Sequence, residues 1–505
     1  MLFSQRSLLV LCGLGLALPL APADSARAEP WVLLGARYQG MGGAGVATVN
    51  DSTASYWNPG ALGFDELYDV RIPFSAQASI EGGVVETMDD IFDLADRTED
   101  ALDRIEDGDF LTDEDVEDMM GIVDLFGELD TSGEGFLVGG DLSLIGRLNR
   151  IAVGQLFIAS SAVAPIKDDI NLSLSSDPSG PARVFDAVQG GADHSTGSAL
   201  QFSQSSSQSL ADSIAATAPN FSQNQAEELV YNAEGGGVDT SDEDSREIIQ
   251  QTAVATGTPG VGDISLNETG AAIKGIITSE TGISYGYPFE LPYLGPIAVG
   301  GNAKIIVGTT FATFIAYNEV DSVGDVISDL FGAPNSKTST RFGLDLGVMS
   351  RPKDWLRLGL VARNVNSPSF KLEGPGDYKL DPQVRAGIAL LPLPRWVIAL
   401  DVDLTENDTQ AIPGFKSRQI GIGTEYVIPV WKVAFALRMG GWSNLAGDVN
   451  DDFAWTGGLG FRAGRFEANV AAGASLKTKE IENSGRDEWP TRMNLSFSVA
   501  WTTKF

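Results

Sequence analysis

Cysteine and histidine are almost missing from this 505-residue chain, which has one of each. Cys12 lies in an apolar stretch near the start, and His194 lies in the polar segment GADHSTGS. A protein metal site or a nucleophile–base pair needs several such side chains in one place. The sequence therefore predicts no catalytic residue, no metal site and no cofactor, and it gives no basis for thiol chemistry.

Positive charge is also scarce. The chain has 34 Lys and Arg residues against 68 Asp and Glu residues, which gives a net charge of −34. A basic surface for nucleic acid is thereby excluded. After residue 30 no apolar run reaches the about 18 residues that a membrane-spanning helix needs. A closed antiparallel barrel, apolar at every second position of each strand, is the other way to cross a bilayer. A secreted acidic enzyme rich in β-structure is the soluble alternative.

The first residues have the features of a secretory signal peptide. Arg6 supplies the positive charge, residues 7–21 form a short apolar stretch, and the triplet ARA ends at Ala28. We place the signal at residues 1–28, so that the mature chain starts near Glu29; cleavage after Ala23 is the alternative. Cys12 leaves with the signal, so the exported chain is expected to form no disulfide.

The remaining sequence alternates apolar and polar residues in segments of about ten residues, the period of a β-strand. In RFGLDLGVM, for example, Phe342, Leu344, Leu346 and Val348 share one face. This rhythm predicts an all-β fold, a transmembrane antiparallel barrel of about fourteen strands. The expected strands lie near residues 68–80, 135–145, 150–163, 281–288, 296–310, 339–350, 354–364, 383–391, 395–404, 417–427, 430–441, 453–462, 465–475 and 491–505.

Tight turns alternate with long connections along this series, which is typical of outer-membrane barrels. An even strand number would place both termini on the periplasmic, tight-turn side. Trp355, Trp396 and Trp431 lie beside tight turns, as an aromatic girdle would, whereas Trp442, Trp455 and Trp489 lie near the opposite strand ends. We therefore expect the protein in the outer membrane of a Gram-negative bacterium, in contact with its lipid.

Charged residues fall on the polar strand faces, which a barrel turns toward its lumen. We expect them chiefly to pair across strands, with a conduction path as the alternative role. The candidate luminal charges are Arg341, Asp345, Arg357, Arg363, Arg385, Asp401, Asp403 and Arg438.

The chain ends on an alternating strand, TRMNLSFSVAWTTKF, whose last residue is Phe505. A final aromatic residue on such a strand is a feature by which outer-membrane barrels resemble one another. The resemblance implies the barrel assembly machinery as a partner that reads Phe505.

The stretch GARYQGMGGAGVATVNDSTASYWNPGAL is rich in glycine, and Gly40, Gly42 and Gly45 formally fit G-x-G-x-x-G. A dinucleotide site would need a strand before this motif and a helix after it within a βαβ unit, and the sequence predicts neither. The stretch resembles the N-terminal signature of the long-chain fatty-acid transporter (FadL-like) superfamily. The matching residues are Gly40, Gly42, Gly43, Ala47, Asp51, Ala54, Asn58 and Pro59, whereas Gly60 stands where that superfamily usually has alanine.

The resemblance implies a hatch at residues 29–66 inside a barrel at residues 67–505, and hydrophobic small molecules as ligands. The hatch would act as a static plug or as a moving gate. The segments LGLVARNVNSPSF, QVRAGIAL, ALDVDLTEN and IGIGTEYV resemble the barrel family labelled conjugal transfer protein TraF. This label implies the alternative function, a non-transport envelope protein associated with conjugal transfer or secretion.

Two large external insertions are expected, at residues 81–134 and 164–280. Residues 81–130 hold 20 acidic and 2 basic side chains, with two helical patterns around the segment DRIEDGDFLTDE. That segment matches only part of a calcium-binding loop, because Ile105 and Leu111 replace expected oxygen donors. Residues 178–280 are rich in Ser, Gln, Gly and Ala, with short helices expected at 224–233 and 243–254 and too little apolar surface for a separate core.

Overall fold

The computed structural model describes residues 29–85, 132–166, 202–217, 222–235, 240–241, 246, 249–250, 253, 270–291, 295–316, 336–372, 377–446, 452–481 and 488–503. The signal peptide, the partial calcium loop, His194 and Phe505 lie outside these residues, so the corresponding predictions stay predictions.

Fourteen antiparallel strands close into a barrel in which each strand pairs with the next and β14 pairs with β1. The predicted fold class and strand number are confirmed. The strands are β1 (Tyr68–Glu81), β2 (Gly135–Leu148), β3 (Ile151–Ile166), β4 (Gly270–Leu291), β5 (Gly295–Ala316), β6 (Ser336–Lys353), β7 (Leu356–Arg363), β8 (Gln383–Leu393), β9 (Trp396–Asp403), β10 (Gln419–Val430), β11 (Val433–Asn444), β12 (Phe453–Ala463), β13 (Phe466–Ser475) and β14 (Arg492–Thr502).

Side chains alternate between an apolar outer surface and a buried inner surface along most strands. In β14, Leu495, Phe497 and Trp501 are exposed, whereas Ser496 and Ser498 between them are buried. Pairing of Phe74 with Phe497 places such residues side by side on neighbouring strands. An outer surface of this composition is suited to lipid rather than water, so the barrel spans a membrane.

The two ends of the barrel differ in their connections. At one end, called here the tight-turn end, short connections join β2 to β3, β6 to β7, β8 to β9, β10 to β11 and β12 to β13. Exposed aromatic residues ring this end, in agreement with the expected girdle: Tyr68, Tyr285, Tyr287, Trp355, Tyr426, Trp431 and Trp501. Trp442, expected near the other end, does lie there but is buried inside the lumen.

The opposite end, the long-loop end, carries three two-stranded ribbons and part of the second insertion. The ribbons pair Ser369–Lys371 with Asp377–Lys379, Asn407–Asp408 with Lys416–Ser417, and Thr478–Lys479 with Trp489–Pro490. None of the helices within the described residues is long and apolar enough to cross a membrane.

The second insertion is shorter than predicted, and the part of it that the structure describes contains two packed helices. β3 extends to Ile166 and β4 begins at Gly270, about ten residues before the expected start. Two helices of the insertion, α3 (Ser207–Thr217) and α4 (Gln223–Gly235), pack together around a small core. The expectation that this segment lacks apolar surface for a core of its own is therefore wrong, because regularly spaced alanines and leucines suffice to pair two short helices. The buried residues of this small core are Leu210, Ala211, Ile214, Ala226, Leu229, Val230, Ile249 and Ala253.

Candidate functional site

Residues 29–64, called here the N-terminal segment, lie inside the barrel and are almost entirely buried. The segment contains helix α1 (Ala36–Gln39), helix α2 (Ala54–Trp57) and a 3₁₀ turn (Pro59–Gly63). Its own core is aromatic: Trp31 packs edge-on against Tyr56 with ring centroids 5.8 Å apart, and Trp57 lies 5.2 Å from Tyr38. The indole N–H of Trp57 donates to the carbonyl of Leu34 at 3.0 Å.

The glycines of the sequence motif follow helix α1. Gly42 and Gly43 have φ angles of +63° and +82°, a region that favours glycine. Gly40 lies against Gly458 of β12, where a Cβ on Gly40 would approach the Gly458 Cα to 3.1 Å. These residues turn the chain sharply against the barrel wall, and no dinucleotide-binding βαβ unit surrounds them in the described residues.

Asp51 and Asn58 hold the second half of the segment in shape. The Asp51 carboxylate accepts hydrogen bonds from the Tyr38 hydroxyl at 2.9 Å and the Thr53 amide at 2.9 Å. The Asn58 side-chain amide donates to the carbonyls of Val46 and Val348, at 3.0 and 2.9 Å. Its oxygen accepts from the amide of Gly60 at 3.0 Å and so caps the 3₁₀ turn that Pro59 begins. Asn58 thereby joins the segment to the wall.

Gly60, where the superfamily usually has alanine, has a local reason to be glycine. A Cβ there would lie 2.9 Å from the carbonyl oxygens of Ala298 and Gly347 on two neighbouring strands. The backbone of the segment therefore touches the backbone of the wall, and a methyl group would force them apart.

The same backbone contact recurs over more than half of the circumference. On every strand from β4 to β12 except β9, a wall glycine faces the N-terminal segment so closely that its Cβ would come within about 3 Å of it. On β10, for example, a Cβ on Gly421 would lie 2.0 Å from the Gly42 carbonyl oxygen. We call this part of the wall the glycine face; its contact glycines are Gly286, Gly300, Gly347, Gly359, Gly387, Gly421, Gly423, Gly440 and Gly458.

The remaining strands, β13, β14, β1, β2 and β3, contact the segment through side chains, and we call them the side-chain face. Asp69 of β1 accepts from the amide of Ser52 at 2.9 Å. Arg147 of β2 donates to the carbonyls of Phe64 and Asp65, both at 2.7 Å. Gln77 accepts from the amide of Leu33 at 3.4 Å, a weak bond.

Several predicted luminal charges do pair across strands. Arg385 lies opposite Asp403 and donates to it at 2.6 Å, and Arg438 lies opposite Glu425 at 2.7 Å. Asp345 lies 3.2 Å from Lys304 on the adjacent strand. Arg363 pairs more distantly with Glu280, at 3.6 Å, and its guanidinium stacks 4.0 Å from the Tyr56 ring centre.

Three predicted luminal charges do not form cross-strand ion pairs, and the expectation is corrected for them. Arg341 donates to the backbone carbonyls of Ser369 and Thr340 near the long-loop end. Asp401 instead accepts the amide of Val46 at 2.7 Å and so fixes the N-terminal segment. Arg357 has no carboxylate within ion-pair distance among the described residues, because its cross-strand neighbour on β8 is Ala389.

Sequence reasoning missed the charges that join the N-terminal segment to the wall. Arg37 donates two hydrogen bonds to Glu425, at 2.7 and 3.0 Å. Arg71 of β1 lies between Glu467, at 2.8 Å, and Asp51, at 3.7 Å. The partners in the pairs Arg37–Glu425 and Arg71–Glu467 are 388 and 396 residues apart in the sequence, so no spacing pattern could indicate them.

Small residues of the barrel wall lie between two cavities where β2 meets β3, and we call this stretch the thin wall. A cavity of about 350 Å³ lies there among apolar, outward-facing side chains that include Phe74, Leu142, Phe157 and Ile277. Gly139 lines this cavity and also a small luminal cavity of about 40 Å³, which Gln77 and Trp442 line as well. Exposure also stops alternating at residues 138–140 of β2, although β2 stays paired with β1 and β3 there. The Gln77 side chain lies closest to Gly139 at this point.

A second large cavity, of about 360 Å³, lies toward the tight-turn end of the lumen and shares no lining residue with the first. Its lining includes six arginines and three carboxylates. Within the described ranges, no group of three or more His, Cys, Asp or Glu side chains could hold a metal ion. The polar lining residues of this cavity are Arg37, Asn50, Asp51, Arg71, Arg357, Arg395, Glu425, Arg438, Arg462, Glu467, Asn469 and Thr502.

Closure of the strands, the apolar outer surface and the buried N-terminal segment define a membrane-spanning β-barrel whose lumen is filled by its own chain. A family model described as "F plasmid transfer operon, TraF, protein" matches residues 55–403, more than half of the chain. The chain belongs to this family, as its sequence segments predicted. The match includes the region between residues 64 and 281, which the sequence resemblance did not cover.

Solved structures with similar architecture include the toluene transporter TbuX of Ralstonia pickettii, at 11% identity and a TM-score of 0.40, covering 93% of this chain and 98% of that one. A FadL homologue of Pseudomonas aeruginosa is 11% identical with a TM-score of 0.40, covering 95% and 99%. The toluene transporter TodX of Pseudomonas putida is 10% identical with a TM-score of 0.39, covering 96% and 100%. At these values the likeness carries no argument about function. A comparison with curated proteins finds no match.

Proposed function

We propose that the chain is a passive channel for the uptake of hydrophobic small molecules across the outer membrane of a Gram-negative bacterium. The observation that carries this proposal is the thin wall at β2 and β3. There an apolar cavity beside the lipid-facing surface and a luminal cavity share Val138, Gly139 and Ser160 as lining residues. An apolar solute that entered the lumen at the long-loop end could leave through this wall into the bilayer.

Contacts of the N-terminal segment support a sideways exit over an axial one. The segment fills the lumen between the luminal cavity and the tight-turn end, and the glycine face holds its backbone against the wall. Movement of backbone against backbone requires the whole segment to shift, whereas side chains on β1–β3 can change rotamer at small cost. The segment therefore acts as a hatch that stays in place while solute passes beside it.

Uptake of N-phenylnaphthylamine, a dye that fluoresces in membranes, tests the proposal in cells that express the full chain. The wild-type chain is expected to raise the initial rate several-fold over cells with an empty vector. Gly139→Val should return the rate close to that of the vector, since its nearest neighbour is the flexible Gln77 side chain and the barrel should still fold. Gly457→Val is the matched control, because a Cβ at Gly457 meets nothing within 4 Å.

Equal rates in empty-vector cells and in cells shown to contain the folded wild-type barrel would reject the channel. The variants are compared at equal amounts of folded barrel. A heat-dependent shift of the band on a gel measures the folded amount, because folded barrels migrate differently before boiling.

The family description supports a second candidate function, a scaffold for envelope assembly or plasmid transfer. The two functions differ in one measurement. Deletion of residues 40–60 should raise single-channel conductance if the segment closes a channel. A scaffold would show no such increase and would retain partner proteins on affinity capture of the intact barrel.

A further inference from the structure

The arginine-lined cavity near the tight-turn end has more positive charge than its carboxylates can neutralise. Glu425 is shared by Arg37 and Arg438, at 2.7 Å from each. The second shared carboxylate is Glu467, which lies 2.8 Å from Arg71 and 2.6 Å from Arg462, and the third is Asp51, 3.7 Å from Arg71. Asp69, which does not line the cavity, lies 3.4 Å from Arg71, so four carboxylates serve the four paired arginines and the charge excess comes from the remaining two arginines of the cavity.

Arg357 and Arg395 line the same cavity without an ion-pair partner among the residues that the structure describes. Arg357 is half-buried at the start of β7, and Arg395 is exposed in the turn between β8 and β9. Arg351 and Arg37 act on Arg357 with like charge, and Asp65, which itself pairs with Arg351, acts on it with opposite charge. The six lining arginines, the three lining carboxylates and Asp69 beside Arg71 together leave an excess of two positive charges, in a chain whose net charge is −34.

A local charge excess of this kind is unfavourable unless water or an anion compensates it. Arginine is also suited to the task, since each guanidinium offers five N–H donors in a planar fork that fits the oxygens of a carboxylate or phosphate. A volume of about 360 Å³ is large enough for a small organic ligand.

We propose that the cavity is a binding site for a small oxyanion, a carboxylate or a phosphate, held by Arg357 and Arg395 and reached from the tight-turn end. The site is separate from the proposed hydrophobic path, because the two cavities share no residue and the N-terminal segment lies between them. It is independent of the proposed function and stands whether or not the barrel transports apolar solutes.

Binding of inorganic phosphate and of benzoate to the purified full-length barrel, measured by titration calorimetry in a zwitterionic detergent at low chloride, tests the proposal. Saturable binding of at least one anion is expected, weakened by added sodium chloride because screening reduces the attraction. The stronger of the two anions identifies the ligand as a phosphate or a carboxylate.

The double variant Arg357→Gln/Arg395→Gln should bind about tenfold more weakly or worse, because two unpaired cations are removed. It should still fold, since neither side chain lies within ion-pair distance of a described carboxylate and Asp65 keeps its pairing with Arg351. Lys353→Gln is the matched control: this exposed lysine lies in the neighbouring turn region and does not line the cavity.

A second variant protects the test against a folding defect. Ala434→Glu places a carboxylate in the cavity lining and should abolish anion binding while keeping the heat-dependent gel shift. The proposal is overturned if neither anion gives saturable heat with the wild-type barrel, or if the double variant binds with wild-type affinity.

Discussion

The glycine face and the side-chain face hold the same N-terminal segment by different means. On the glycine face, wall and segment meet backbone to backbone, so that even one added methyl group has no room at Gly421 or Gly300. On the side-chain face, long polar side chains such as Arg71, Arg147 and Gln77 span the gap. The apolar cavity through the thin wall lies on the side-chain face only.

This difference indicates where the barrel can change shape. Backbone contact is set by strand geometry and cannot be relieved by rotamer changes, whereas a side-chain contact can break and reform without moving a strand. The side-chain face therefore combines the adjustable contacts with the thin wall, and the glycine face anchors the segment. Substitutions that weaken one face and leave the other intact test this difference.

The largest loss of stability is expected for Arg71→Met on the side-chain face. Arg71 is 4% exposed and lies near Glu467, Asp69 and Asp51. Removing the cation leaves these buried carboxylates without their shared partner, which costs about 3–5 kcal/mol of the free energy of unfolding. Urea unfolding of the barrel in micelles, followed by the gel shift, measures this loss.

Arg351→Met is the control for Arg71→Met. Arg351 pairs with Asp65 at 2.8 Å, but the two side chains are 21% and 38% exposed, so at most about 1 kcal/mol should be lost. Equal losses in the two variants would mean that the luminal ion pairs on β1 do not hold the segment.

Gly421→Val on the glycine face should cost about 3 kcal/mol, because overpacking against fixed backbone cannot be relieved by a rotamer change. The new side chain would displace Gly42 and loosen the segment, so single-channel conductance should rise as stability falls. Gly139→Val on the side-chain face is the matched substitution and should cost less than about 1 kcal/mol, because Gln77 can move away. Similar costs at both positions would remove the distinction between the faces.

Strand number and most hairpins were predictable because a barrel in lipid imposes one simple rule, apolar outward and polar inward. The rule failed at the start of β4, which was placed at residue 281 instead of Gly270. There Ala271 and Ile273 share the outward side of the strand with the exposed Ile277, yet they are buried in an apolar cluster with Val163 and Phe311. Because Ile276 on the inner side is apolar as well, the alternation in this part of the sequence is weak.

The luminal site was predictable only where neighbouring strands supply both partners. Arg385 with Asp403 and Arg438 with Glu425 follow from hairpin register. The pairing of Arg37 with Glu425 depends on how a segment folded inside the barrel meets a strand 388 residues later, and a single sequence has no signal for it. The glycine face was missed for a related reason: a glycine on an inner face looks merely small until the chain that touches it is placed.

The smallest expected effect concerns Glu29, which joins the two faces at the start of the segment. Its carboxylate accepts hydrogen bonds from Thr409 at 2.6 Å and from Tyr378, both in connections beside the glycine face, and from Ser160 of β3 at 3.3 Å. Burial raises the pKa of Glu29 above its usual 4.5, although the bonds from Thr409 and Tyr378 oppose that shift. A carboxyl with a raised folded-state pKa contributes stability in full below its unfolded value, and this contribution is lost as pH rises through the folded value.

The wild-type barrel should therefore lose thermal stability relative to Glu29→Gln as pH rises above the ordinary value of 4.5, since glutamine keeps a hydrogen-bonding group and cannot ionise. Gel-shift melting curves of the two proteins across this range measure the difference. Within the part of the chain that the structure describes, the Ser160 hydroxyl reaches the ribbons of the opposite wall through Glu29. Since Ser160 also lines the cavity at the thin wall, dye uptake should show the same pH dependence. Parallel melting curves for the two proteins at every pH would show that the carboxyl stays ionised in the lumen, and that the side-chain face is held at this point by charge rather than by a neutral hydrogen-bonded acid.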